Sequence, residues 1–139
     1  MRPFSQPVSR RHLLRWALAA GIAVAGPWGG LTLLARQNGA QVLADRLRAL
    51  LPHRLAAAAL GVAYIGTVEG PATVASLVSE LAADLDGGVE GALTLDRAAL
   101  AAMLERSMHA DYDAGRVVTL SGWIVSITEG RLCALASLA

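Results

Sequence analysis

The chain has 139 residues, 55% of them apolar and 17% charged, with a formal net charge of +1. All 12 Lys and Arg positions are arginine, and the 11 acids lie beyond Ala44 without clustering, which leaves no basic stripe for nucleic acid and no polybasic patch for a membrane outside the N-terminal segment. A single cysteine, Cys133, excludes an intramolecular disulfide, and 4% aromatic content leaves few rings for stacking bases or sugars.

In chain order, the first feature is Ser9-Arg10-Arg11-His12-Leu13-Leu14-Arg15, followed by the uncharged stretch Trp16 to Ala35. A hydroxyl residue, two arginines, any residue, a large apolar pair and a base form a twin-arginine (Tat) export signal, an address read by a receptor and used for cargo that is already folded. Leu13 stands where Phe is commonest and Arg15 where Lys is commonest. Gly21, Gly26, Gly29, Gly30 and Pro27 weaken a helix here and keep the stretch less apolar than a typical anchor. Small-residue cleavage sites end at Ala35, Ala40 or Ala44, with Val42-Leu43-Ala44 the best of the three. The alternative is an uncleaved signal anchor, because about twenty apolar residues span a bilayer and arginines ahead of them hold the N-terminus in the cytoplasm. Residues 16–35 therefore contact membrane at least transiently, and the protein is expected in the periplasm or exported, free or held at the inner membrane. The expected division is 1–44, signal or anchor with linker, and 45–139, one small domain with one core.

Beyond the signal, Val42, Leu43, Leu47, Leu50 and Leu51 have helical spacing, with Asp45, Arg46 and Arg48 on the other face. Pro52 opens a second helix through Ile65, with Leu55, Ala59, Val62 and Ile65 inward and Ala56 to Ala59 allowing close approach of a neighbour. After a turn at Gly66 to Gly70, Pro71 opens a third helix, whose Val74, Leu77, Val78 and Leu81 form the cleanest amphipathic stripe. Gly87-Gly88 stops it, and a loop runs to Thr94. Thr94 or Asp96 caps a fourth helix carrying Leu95, Ala99, Leu100, Met103, Leu104 and Ser107 inward, which ends at Gly115. Val117 to Leu120 is a short extended segment. Ser126 and Glu129 have the spacing of a capping box for a last helix from Ile127 to about Leu138. The predicted fold is all-α, a small bundle of four to five helices after the signal or anchor helix, with one extended segment near 117–120.

Chemistry-bearing groups are sparse. His109, Asp111 and Asp113 are the nearest approach to a metal cluster, but only His109 and Asp113 share a helical face, and the group reads as a solvated helix end. Ser121, Ser126, Ser137 and the histidines lack a strand-turn-helix nucleophile elbow, and Gly87-Gly88 lacks the strand and helix of a phosphate loop. Cys133 sits among Leu132, Ala134 and Leu135 as a buried apolar side chain. No catalytic, cofactor-binding or metal-ligating residue is assigned, and the chain is not expected to be an enzyme. The segment Ser121 to Glu129 stands out because Trp123 follows a glycine and precedes a capped helix, either as a ring presented to a partner or as a plug in a small core.

On the Ser9 to Arg15 motif and the plan of a signal followed by a short helical domain, the chain resembles the small Tat-exported subunits of periplasmic flavin-dependent dehydrogenases, the gluconate dehydrogenase small-subunit type. The resemblance implies a non-catalytic accessory subunit that carries a larger signal-less flavoprotein through the Tat machinery and stays bound to it, with no active-site residue of its own. The alternative is a free-standing periplasmic or membrane-anchored helical binding protein of unknown ligand.

Overall fold

The structure, a computed structural model, describes the backbone from Pro27 and the side chains from Thr32 to the C-terminus, Ala139. The segment Ser9 to Arg15, expected as an export signal, and the first part of the apolar stretch lie outside the described residues. Residues 35–139 form one compact unit, and the core described below is that unit's.

Six helices and one β-hairpin make up the described residues: α1 (Pro27–Arg48), α2 (Arg54–Ile65), α3 (Val74–Leu81), α4 (Gly88–Thr94), α5 (Arg97–Asp113), β1 (Val117–Leu120), β2 (Trp123–Ser126) and α6 (Ile127–Ser137). The predicted mostly helical domain is what is observed. The compact unit 35–139 includes the part of α1 ahead of residue 45, where Ala40, Leu43 and Ala44 are core residues. Leu43, Leu47, Val78, Leu100, Leu120 and Leu135 are fully buried and draw α1, α3, α5, β1 and α6 around one centre.

The last helix is the hub. α6 packs most extensively on α2 and also meets α3, α5 and both strands, so it buries Thr128, Gly130, Leu132, Ala134 and Leu135 around much of its circumference. Its close seat on α2 rests on two glycines. A Cβ on Gly61 would overlap the backbone of Cys133 and Ala134, and a Cβ on Gly130 would overlap the ring of Tyr64, which is itself buried. Each helix thus provides a notch for the other.

This pairing turns outward Leu55, Ala59 and Val62, which are expected inward, and leaves Ile65 against the core as expected. Ala57, Gly61 and Tyr64 face inward with Leu60 and Ile65 half-buried, whereas Leu55 and Val62 are 90% and 66% exposed. From Leu55 to Ile65 every residue is apolar or glycine, so periodicity alone offers two stripes; residues two apart lie 200° apart, and the stripe containing Gly61 admits the closer neighbour.

Helix boundaries follow their caps. α3 starts at Val74, so Pro71 lies ahead of the helix rather than in its first turn, and Thr73 is the cap: its hydroxyl accepts from Ser76 N at 3.1 Å, and its own N–H donates to Ser76 Oγ at 3.0 Å. The stripe Val74, Leu77, Val78, Leu81 faces the core as expected. Of the two candidate caps for α5, Asp96 is used, accepting from Ala99 N at 2.7 Å. The segment expected as a loop from Gly87 to Thr94 instead forms the short helix α4, which seats Ala92 in the core.

Arginines close the helix ends. Arg48, expected on the solvent face, is buried; it donates to Leu135 O at 2.8 Å and Leu138 O at 3.4 Å and pairs with Asp45 at 2.8 Å. Arg46 donates to the carbonyls of Leu93 and Leu95, and Arg97 to that of Ala49 at 3.0 Å. Terminal helix carbonyls lack intrahelical donors, and a planar guanidinium reaches two of them at once, which an ammonium does less well.

Val117 to Leu120 is extended as predicted, and it has a partner the sequence reading did not assign. β1 pairs antiparallel with β2 in the register Val117↔Ser126 to Leu120↔Trp123. Ser121 (φ 50°) and Gly122 (φ 85°) form the connection, both in the left-handed region that a two-residue type I′ hairpin requires. The Ser126–Glu129 capping box forms as expected: Glu129 N donates to Ser126 Oγ at 3.0 Å, and Ser126 N to Glu129 Oε2 at 2.7 Å. Ser126→Ala is expected to cost about 1 kcal/mol, the usual worth of such a cap, read as a lower urea midpoint with an unchanged slope.

Candidate interaction surface

The hairpin stands on a fixed root. Asp111, in the last turn of α5, is buried; Oδ1 accepts from Arg116 Nε at 2.8 Å and Oδ2 from Thr128 N at 2.8 Å. Arg116 N also donates to Asp111 O at 2.8 Å, and Ile127 N to Arg116 O at 3.1 Å. Tyr112 donates its hydroxyl to Glu129 Oε2 at 2.6 Å, the oxygen that also caps α6. One carboxylate therefore joins the end of α5, the start of β1 and the start of α6, and a second ties Tyr112 to the end of β2.

Burial draws the Asp111 carboxyl upward, but the hydrogen bonds from Thr128 and the Arg116 guanidinium outweigh it and hold the pKa below the usual carboxylate value. The Tyr112 hydroxyl is pushed above its ordinary value, chiefly because it donates to Glu129. Burial, with Glu129 nearby, pushes the thiol of the half-buried Cys133 up.

On this mount, Trp123 is 71% exposed and Ile124 65% exposed. Trp123 is therefore presented rather than plugged into the core. Consecutive strand residues point to opposite faces, so the two side chains form a wedge rather than one patch. Trp123, at the hairpin tip, shares the face of buried Leu120, while Ile124 shares the outer face with Thr119 and the exposed Val117. No residue from Val117 to Thr128 is charged. A second apolar surface is the outer side of α2, where Leu55, Ala59 and Val62 stand at i, i+4 and i+7.

The His109, Asp111, Asp113 group separates. His109 Nδ1 donates to Glu105 O at 2.8 Å, and Asp111 is a buried anchor rather than part of a solvated helix end. Among the described residues no group of three or more His, Cys, Asp or Glu side chains is placed to hold a metal ion, and no helix is long and apolar enough to cross a membrane. An open cleft of about 280 Å³ beside the hairpin root is lined by Glu80, Asp84, Ser107, Asp111, Arg116 and Arg131, with Arg131 Nε 2.7 Å from Glu80 Oε2.

Within the segment Ser121 to Glu129 the sequence points to Trp123 and not to Ile124, and it places Leu55 and Val62 inward rather than on a surface. The signal for Ile124 was the second strand, hidden because Ser-Gly is a less frequent I′ turn than Asn-Gly; the signal for the α2 surface was Gly61. The fold and site define a small helical domain that presents apolar side chains on a braced hairpin. Comparison with protein-family models, curated proteins and solved structures found no match for the chain.

Proposed function

We propose that the chain is a Tat-exported, non-catalytic accessory subunit, which binds a larger flavin-dependent dehydrogenase and supplies the export signal through Ser9 to Arg15. The observation that supports partner binding is Trp123, largely exposed at the tip of a hairpin whose root is braced by Asp111 and Glu129. Trp is enriched at interface hot spots, and burying a side chain of this size on a partner contributes about 2 kcal/mol or more. A rigid mount reduces the ordering cost of that contact.

Trp123→Ala combined with Ile124→Ser tests this reading. An exposed site predicts a stability change within about 1 kcal/mol, because each substitution lies away from the core. Dehydrogenase recovery with the C-terminally tagged chain should nevertheless fall at least tenfold. Unchanged recovery, or a wild-type chain purified from its host without a stoichiometric flavoprotein, would sink the proposal. Export has its own check: Arg10→Lys with Arg11→Lys should retain chain and partner in the cytoplasm, since the receptor reads the guanidinium pair, and normal export of that variant removes the basis for the localisation.

The mixed-charge cleft beside Asp111 favours the second reading, a free-standing periplasmic or membrane-anchored binding protein. That reading predicts a lone exported chain.

A further inference from the structure

We infer that the outer face of α2 is the contact between two copies of this chain, paired antiparallel about a twofold axis near Ala58 and Ala59. Leu55, Ala59, Val62 and Gly66 follow one another along this face at helical spacing, and all four are exposed. No residue from Leu55 to Val68 is charged, so no charged side chain rises from within the stripe. A contiguous apolar stripe facing solvent marks an interaction surface, whereas apolar residues exposed singly do not. A twofold contact presents the same residues from both sides, so it needs a stripe that matches itself when reversed. Leu55 and Val62 stand at equal distances from the midpoint between Ala58 and Ala59. In an antiparallel pair centred there, Leu55 of each copy lies level with Val62 of the other. The small alanines between them let the two helix axes approach to about 8 Å.

Charge complementarity at the helix ends sets the antiparallel sense. Arg54 opens α2 with no acid in the first turn, and no base stands in the last turn. The macrodipole disfavours a cation at a helix N-terminus and favours one beside the terminal carbonyls at the other end. Arg54 is exposed, as is Glu69 just beyond the helix, and among the described residues neither makes an ion pair. Reversing a second α2 brings each Arg54 level with Ala63 of the other copy, along its last turn and toward its Glu69. The contact supplies, twice by symmetry, the C-terminal base that each helix lacks. A parallel pair would set Arg54 against Arg54, like charge against like. A contact of one helix pair belongs at the small end of specific interfaces, so a dissociation constant on the order of micromolar is expected.

The test is cross-linking and sedimentation of the full chain. In a Cys133→Ala background, Ala59→Cys should give a covalent dimer of the chain on mild oxidation, while Ala101→Cys, at an exposed position on α5, should not. Over a dilution series, Val62→Arg should raise the dissociation constant about tenfold or more with Tm unchanged, because it forces a charge into the contact from an exposed site. Arg54→Glu should weaken the dimer, and adding Glu69→Arg should restore it, since the swapped charges again meet across the twofold. Trp123→Ala with Ile124→Ser should leave the dimer intact, which separates this face from the hairpin. Cross-linking through Ala59→Cys no faster than through Ala101→Cys overturns the inference, as does capture there of a different protein in place of a second copy. So does a Val62→Arg chain that dimerises like wild type, or a charge swap that restores nothing.

Discussion

Gly61→Ala is expected to lower the stability of the domain by about 2 kcal/mol, and Gly61→Val to prevent folding. At an unconstrained helix position the same Gly→Ala change would stabilise by up to about 1 kcal/mol, so the sign of the effect is diagnostic. Here the added methyl would overlap the Cys133 and Ala134 backbone of α6, which cannot rotate aside as a side chain would. Overpacking of a tight interior costs about 1–3 kcal/mol, and a backbone collision belongs at the upper end of that range. For a domain of this size the net loss corresponds to a Tm lower by roughly 10 °C. Gly39→Ala is the control: its Cβ would meet only the Leu93 Cδ1 methyl at 3.4 Å, and the change should be neutral or slightly stabilising. Gly130→Ala collides instead with the Tyr64 ring, so it should be partly rescued by Tyr64→Ala, and a double-mutant cycle would show that coupling. A Gly61→Ala protein as stable as wild type would mean that α2 and α6 do not pack as described.

The second large effect is at Asp111. Asp111→Ala is expected to cost about 3 kcal/mol, because it leaves the Thr128 N–H, in the buried first turn of α6, without its acceptor and removes a charge-assisted bond from Arg116. Arg116 is half-exposed and solvates readily once released, so the Thr128 donor carries more of the loss than the ion pair does. Asp111→Asn keeps a carbonyl oxygen for Thr128 and should lose less, giving the order Ala worse than Asn worse than wild type in urea unfolding. The pH dependence follows from the lowered pKa. A group whose folded pKa is depressed contributes its stability above its unfolded value, about 3.9, and loses it as pH falls through the folded value. Wild type should therefore lose part of its stability below about pH 4, and Asp111→Asn should lose less over that window. Equal acid slopes for the two proteins would show that Asp111 is not the titrating anchor.

Trp123 and the α2 surface show how far the residues alone carried the functional reading. A tryptophan after a glycine and before a capped helix was recognisable as a candidate for presentation, but core and surface placements were equally consistent with its neighbours. Its exposure was decided by the second strand. The register Leu120↔Trp123 puts the ring at the hairpin tip, beyond the residues that cover the core. Leu55 and Val62 were assigned inward and lie outward, because an all-apolar helix carries no polar face to orient it. Asp111 was grouped with His109 and Asp113 by proximity in sequence, while its actual partners, Arg116 and Thr128, come from the hairpin and the next helix.

What the sequence determined by itself was local: the α3 stripe, the Asp96 cap, the stop at Gly115, the extended run from Val117 and the Ser126–Glu129 box. Each depends on groups within about four residues of one another, where backbone geometry fixes who can meet whom. The tertiary structure alone decided which face of α2 is buried, that Arg48 and Asp111 go inside, and that Ala40, Leu43 and Ala44 belong to the core. Those outcomes depend on what packs alongside: α6 fits closely only against Gly61, and a buried guanidinium or carboxylate is tolerated only where distant carbonyls or N–H groups meet it.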